Sequence, residues 1–177
     1  FGLLAICLVV ARIGKAEQFH AHHENVLGTS LDMCIEARTS AGAVRAEQVA
    51  LREFDRLSKI FSHYDPLSEL SAFQALPPGT AMRVSTELYQ TLQQCDEWTK
   101  VSEGAFNPAV EHLARQWQAC SASGALPDDA AIERAVALLN QPHWKIAEGE
   151  LQVTRQTNLP ISLNAIAKGV ILDRVAA

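Results

Sequence analysis

Three short segments of this chain combine turns that expose backbone with side chains able to meet an anion or a flat ring. The last is Ile161-Ser162-Leu163-Asn164-Ala165-Ile166-Ala167-Lys168-Gly169. A short strand over residues 159–163, feeding a helix from Ala165, would aim free N–H groups at a ligand. Lys168 falls in the first turn of that predicted helix, where a cation opposes the helix dipole. A bound phosphate or planar ring accounts for it, and so does a salt bridge to Asp173 or a solvated surface site. The second segment, Gly104-Ala105-Phe106-Asn107-Pro108, sets small residues before a capping Asn and a Pro suited to the first helical position. It reads as an anion-favouring helix start or as a plain tight turn. The third, Ser62-His63-Tyr64-Asp65-Pro66-Leu67-Ser68-Glu69, holds a Tyr in a Pro-containing loop. That ring can stack on a planar ligand or cover the edge of the core.

The elements that must carry these segments follow from periodicity. Leu31, Met33, Ile35 and Ala37 alternate with polar residues, the pattern of a half-buried strand. Ser40 is placed to cap a helix reaching about Phe61, with Ala43, Ala50, Phe54, Leu57 and Phe61 along one face. Ser85 caps the next helix, with Val84 and Tyr89 set as a hydrophobic staple and Leu88, Leu92 and Cys95 facing inward. A helix starting at Asn107-Pro108 carries Val110, Leu113, Ala114 and Trp117. After a loop at 124–127, Asp128 opens another with Ile132, Val136 and Leu139. Trp144 to Ile146 and Leu151 to Thr154 form a predicted hairpin around Glu148-Gly149-Glu150. The fold class is α+β, a single domain of helices packed on mixed or antiparallel sheets, with no interdomain linker in view.

The 177 residues suffice for one domain with a real core, and they carry a net charge of −5. That balance argues against nucleic acid as the main partner, because phosphate binding needs a basic face. The run Phe1 to Ala11 is apolar but too short to span a bilayer, and Gly14 and Ala16 after it offer a signal-peptidase site. Residues 1–16 are therefore read as a truncated export signal lying outside the fold, with a buried first helix as the alternative. Export to the periplasm or cell envelope of a bacterium follows. The chain starts without Met and stops inside a helical pattern, so a fragment is expected. Cys34, Cys95 and Cys120 are widely spaced and odd in number, and they suggest buried thiols rather than a zinc site or a disulfide framework. His20, His22 and His23 read as a solvated tail.

Taken in order, Leu27-Gly28-Thr29, Ser62-x-Tyr64-x-Pro66-x-Ser68-Glu69, Gly104-Ala105-Phe106-Asn107-Pro108, and Asn164-Ala165-Ile166-Ala167-Lys168-Gly169 with Asp173 resemble the ApbE-type FAD:protein FMN transferases. The resemblance runs from about Val26 to the end, and residues 17–177 correspond to the N-terminal portion of such a domain. It implies an enzyme of the bacterial envelope that takes FAD as substrate, uses Mg²⁺, and attaches FMN to a Thr or Ser of a target protein. The usual acceptor class is a flavoprotein subunit of a membrane redox complex. An exported FAD-binding protein, or an FAD pyrophosphatase without transfer activity, is the alternative. Residue by residue, the resemblance sets Tyr64 against a ring of FAD and makes Leu27 an apolar wall. It lines the cofactor with Ala105, Phe106, Asn107 and Ser162, brings Lys168 to FAD, and gives the Ala165 carbonyl to Mg²⁺. The family usually has Asp where Asn107 and Ser162 stand and Thr where Ala109 stands. The other metal ligands and the catalytic residues are expected beyond Ala177. His63, His112 and His143 are read as surface or loop residues, and no general base is named.

Overall fold

The computed structural model describes residues 3–9, 16–124 and 126–176, which form two bodies. The first is built on residues up to Ser58 together with those from Lys168 onward, the second on Lys59–Ala167.

In the first body, β1 (Leu3–Val9), β2 (Glu17–Val26) and β3 (Thr29–Ala37) form a sheet of order β1-β3-β2. β3 is central, parallel to β1 and antiparallel to β2. Its alternation holds: Leu31, Met33, Ile35 and Ala37 are all buried. Residues Leu3–Val9 of the apolar run pair as a strand of this sheet. Leu, Ile and Val suit a strand, and the β3 edge offers a row of backbone partners to it. Most of the proposed cleavage site, Arg12 to Lys15, lies outside the described residues. The histidines of the expected tail belong to β2, paired with β3 from Glu17 to His23. β2 and β3 join through Leu27-Gly28, where φ is +52° and +73°. Two consecutive left-handed residues make the hairpin turn whose twist matches the strands. Helix α1 (Ser40–Phe61) follows, with Ala43, Ala50, Phe54 and Leu57 buried as the periodicity predicts. Its cap is Thr39 rather than Ser40: the Thr39 hydroxyl accepts from the Gly42 N–H at 3.1 Å.

The second body carries α2 (Glu69–Gln74), β4 (Ala81–Arg83), α3 (Thr86–Val101), α4 (Glu111–Ser123), α5 (Asp129–Leu139), β5 (Trp144–Ala147) and β6 (Gln152–Arg155). Helix α6 (Asn164–Ala176) begins in it. The strands form an antiparallel sheet of order β4-β6-β5, with β5 and β6 as the expected hairpin. Ser85 caps α3, its hydroxyl accepting from Leu88 N–H, and Val84, Leu88, Tyr89, Leu92 and Cys95 are buried. The Tyr89 hydroxyl donates to the Ala147 carbonyl at 3.0 Å and ties α3 to β5. Asp128 caps α5 as predicted. Two expectations fail locally. Residues 159–163 pair with no strand, and α4 starts at Glu111, three residues after Pro108.

Candidate functional site

The loop around Tyr64 shows how a motif divides its labour. The Ser62 hydroxyl accepts from the Tyr64 and Asp65 N–H groups, at 3.2 and 3.1 Å. The Ser68 hydroxyl donates back to the Ser62 carbonyl and also caps α2 by accepting from Ser71 N–H. Glu69 takes the Ser85 N–H and hydroxyl at 2.5 and 2.6 Å, so the loop is fastened to the start of α3. Every polar member of Ser62-x-Tyr64-x-x-x-Ser68-Glu69 except Tyr64 is thereby spent on structure. Tyr64 itself is 80% exposed, with only the His63 ring tilted against it at 3.7 Å between centroids. It does not cover the core edge.

The Gly104 segment closes α3 and then turns. Glu103 and Gly104 both adopt positive φ, at +53° and +87°, and the Gly104 N–H reaches back to the Thr99 carbonyl at 2.8 Å. Asn107 does not cap a helix directly. Its Oδ1 accepts from Ala109 N–H at 2.9 Å, forming an Asx turn, and the chain winds through Pro108–Val110 before α4 begins. Its Nδ2 donates to the Leu139 carbonyl at 2.8 Å, at the last residue of α5. An ionised Asp here would have no donor for that carbonyl, so the link depends on the Asn107 amide.

The terminal segment is pinned against this turn. Ser162 N–H donates to the Pro108 carbonyl at 2.8 Å, while Ile161 and Leu163 are buried on either side. Two of the three segments singled out in the sequence therefore meet. Between them opens a cleft of about 620 Å³, within the ordinary range for a small-molecule site. Ala105, Phe106 and Asn107 line one side, and Ser162, Asn164 and Ala165 another. Leu113, Ala114 and Trp117 of α4 and Ile132 and Val136 of α5 complete an apolar lining. Among the described residues no Lys or Arg lines it, and the one charged lining residue is Glu111. Such a cleft suits a flat, weakly polar group and repels a phosphate.

Five of the expected site residues, Ala105, Phe106, Asn107, Ser162 and Ala165, line this cleft. Tyr64 does not, although it belongs to the same body. Leu27 and Lys168 belong to the other body; Leu27 sits in the left-handed turn, and Lys168 is an exposed residue of α6. The α4 and α5 contributions were legible only as core-facing stripes. Trp117 and Val136 are in fact 52% and 43% exposed, because what they face is the cleft.

A second, more polar cleft of about 400 Å³ shares Asn107 and Pro108 with the first. Asp96, Thr99, Glu103, Asn140, Gln141 and His143 are among its lining residues. Burial raises the Asp96 carboxyl above its ordinary value, partly offset by Trp144 Nε1, which donates to it at 3.2 Å. His143, expected as a surface or loop residue, does sit in a loop but is buried, its ring nitrogens 3.2 Å from Thr157 Oγ1 and from the Leu139 carbonyl. Burial lowers its pKa, the Leu139 carbonyl draws it back up, and the Arg155 charge lowers it further. Burial likewise pushes the Cys95 thiol up to about 12, with the Asp96 charge adding to it, so this thiol stays protonated and inert. Cys34, Cys95 and Cys120 form no disulfide with one another.

The one metal contribution expected within this chain is the Ala165 carbonyl. No group of three or more His, Cys, Asp or Glu able to hold a metal occurs among the described residues. Ala165 lies in the first turn of α6, where its carbonyl is engaged by the helix itself. One such oxygen does not make the octahedral set that Mg²⁺ requires.

The elements make an α+β fold, and its second body carries an apolar cleft lined in part by the start of α6. The chain belongs to the ApbE family, whose model matches residues 27–177. It is 27% identical over 180 residues to a FAD:protein FMN transferase of Chlamydia pneumoniae, covering 98% of this chain and 55% of that protein. It is 26% identical to the enzyme of the same name from Treponema pallidum, covering 96% of this chain and 49% of the relative. The fold matches the flavin transferase ApbE from Vibrio cholerae with a TM-score of 0.74 at 23% identity, over 92% of this chain and 53% of that one. The chain thus spans about half the length of the curated relatives it matches.

Proposed function

We propose that this chain supplies the flavin-holding part of an FAD:protein FMN transferase. The observation that carries the reading is the Ser162 N–H to Pro108 carbonyl bond, which joins two separate family segments around one apolar cleft. A ring system fits that slot, and the lack of basic residues among its lining supports a pose with the pyrophosphate outside it, near the positive end of the α6 dipole. Tyr64, held outward by its loop, is free to stack on a ring of FAD. Lys168 offers a cation for the phosphates.

In the transfer, the hydroxyl oxygen of an acceptor Thr or Ser bonds to the flavin-side phosphorus as the pyrophosphate P–O bond breaks. AMP leaves, and the hydroxyl proton passes to a base or to solvent. Most of such a barrier is overcome by positioning and charge neutralisation. Mg²⁺ would supply the neutralisation when bound. Among the described residues no cluster of His, Cys, Asp or Glu builds its site. An acceptor protein, in the class of membrane redox subunits, and export to the bacterial envelope belong to the same proposal. Sequencing the N-terminus of the mature protein tests export: loss of residues 1–16 supports it, whereas their retention fixes β1 as a permanent strand.

The deciding experiment incubates the protein with FAD, Mg²⁺ and a Thr-containing acceptor peptide, then looks for the mass of FMN on the peptide. Transfer supports the reading. Thermal stabilisation by FAD without transfer supports the binding-protein alternative, and no response to FAD overturns both.

A further inference from the structure

The link from Gln156 to Leu163 has no regular structure, yet it delivers Ser162 and the start of α6 to the apolar cleft. A segment without its own ladder must find partners elsewhere for its backbone groups. The Gln156 N–H donates to the His143 carbonyl at 2.9 Å, and from Leu159 to Ser162 the partners are two side chains and one carbonyl. The Leu159 carbonyl accepts from Nη2 of Arg155. The Ile161 N–H donates to Oε1 of Gln74 at 2.7 Å, and the next N–H, of Ser162, to the Pro108 carbonyl at 2.8 Å.

Both side chains are well braced. Arg155 is 1% exposed, and its guanidinium lies 5.6 Å over the Phe73 ring. Its own N–H and carbonyl are fixed by Thr80 and Gly79 at 2.9 and 2.7 Å. The guanidinium Nε and Nη1 are buried with no hydrogen-bond partner among the described residues, so the Leu159 carbonyl is the acceptor that orients it. Gln74 ends α2, whose other end is the Ser68-Glu69 cap that holds the Tyr64 loop. A helix of six residues therefore connects the fastening of the Tyr64 loop to the wall of the cleft.

We propose that Gln74 and Arg155 are positioning residues for the flavin site, clamping the 159–163 link so that Ser162, Asn164 and Ala165 stand at the cleft. The inference rests on the flavin reading above. Neither residue lines the cleft, so both act through the backbone they hold.

The test uses the full chain and three variants: Gln74→Leu removes the acceptor, Gln74→Glu retains it, and Arg155→Lys keeps the charge with a single donor head. FAD affinity is read by flavin fluorescence and clamp integrity by hydrogen exchange at the Ile161 and Ser162 amides. Gln74→Leu is expected to weaken FAD binding by about tenfold, the scale of one lost hydrogen bond. It should also speed exchange at both amides and lower the melting temperature by a few degrees, the cost of one unsatisfied amide. Gln74→Glu should recover affinity and protection, and Arg155→Lys should fall between. Where transfer is measured, KM for FAD rises and kcat holds. Wild-type affinity in Gln74→Leu overturns the clamp. A wild-type chain that binds no FAD overturns the flavin reading, and the clamp's ligand role falls with it. The exchange data distinguish the two failures.

Discussion

The two three-stranded sheets use polar side chains in opposite ways. On the β1-β3-β2 sheet, His22 stands in solvent between Asp32 and Glu24, at 2.5 and 2.8 Å. Hydrogen bonds to Asp32 and then Glu24 raise its pKa against an opposing effect of desolvation. On the β4-β6-β5 sheet, Arg155 is buried over Phe73, and the neighbouring His143 is buried with its pKa lowered. The same imidazole is thus pushed up by exposed carboxylates in one body and down by desolvation in the other. Charge at a surface is screened and replaceable, whereas charge in a core commits its neighbours to fixed positions. The second body, which holds both clefts, is the one that makes this commitment.

The largest break in the contrast should come from Phe73→Ala. This removes a fully buried ring from beneath the guanidinium, and a loss of about 3–5 kcal/mol in urea unfolding is expected. A loss below about 1 kcal/mol would mean that Arg155 and its surroundings relax freely. Next, Asn107→Asp should cost about 1–3 kcal/mol, because the Leu139 carbonyl loses its donor and gains a carboxylate as neighbour. Equal stability of the two proteins would show that the link is dispensable.

On the first sheet the expected sign reverses. Leu27→Asn should raise stability by up to about 1 kcal/mol, since Asn accepts the left-handed conformation that costs Leu strain. An unchanged melting temperature would falsify the strain. A simultaneous loss of flavin affinity would instead attach the strain to ligand binding.

The smallest effects are the pH dependences. His143 is neutral in the fold and has a lowered pKa, so the unfolded chain takes up its proton first as pH falls through about 6.5. Stability should therefore drop on the acid side of 6.5, and His143→Gln should flatten that limb. His22, with its raised pKa, contributes fully below 6.5 and loses its contribution as pH rises through the folded value. His22→Gln should flatten only the limb above 6.5. Melting curves across pH 5–8 separate the two, and a shared limb would break the contrast.

Local signals carried much of this architecture. Alternation in Leu31–Ala37, the Ser85 and Asp128 caps, and the Glu148-Gly149-Glu150 turn each act within a few residues, and each stands where the periodicity puts it. What was illegible depends on distant partners. The 159–163 link has strand-like residues, but its N–H groups go to Gln74 and Pro108 rather than to a neighbouring strand. The Phe1 to Ala11 run has the composition of an export signal, yet Leu3–Val9 pairs with β3 across more than twenty intervening residues. Arg155 gave no signal at all, because burial of a lone Arg at the end of a short strand is decided by tertiary packing. At the site, the turn residues from Ala105 to Asn107 and Ser162 were readable as motifs. The apolar wall from α4 and α5 was not, since a stripe that lines a slot and a stripe that meets a core have the same period.

Asn107 and Pro108 are a party wall between two rooms of opposite character. A substitution that reshapes one room redraws the other, so the apolar and polar clefts cannot be tuned independently at these positions. Any effort to alter what this domain accepts has more freedom on α4 and α5, whose side chains at Leu113, Trp117, Ile132 and Val136 border the apolar room alone.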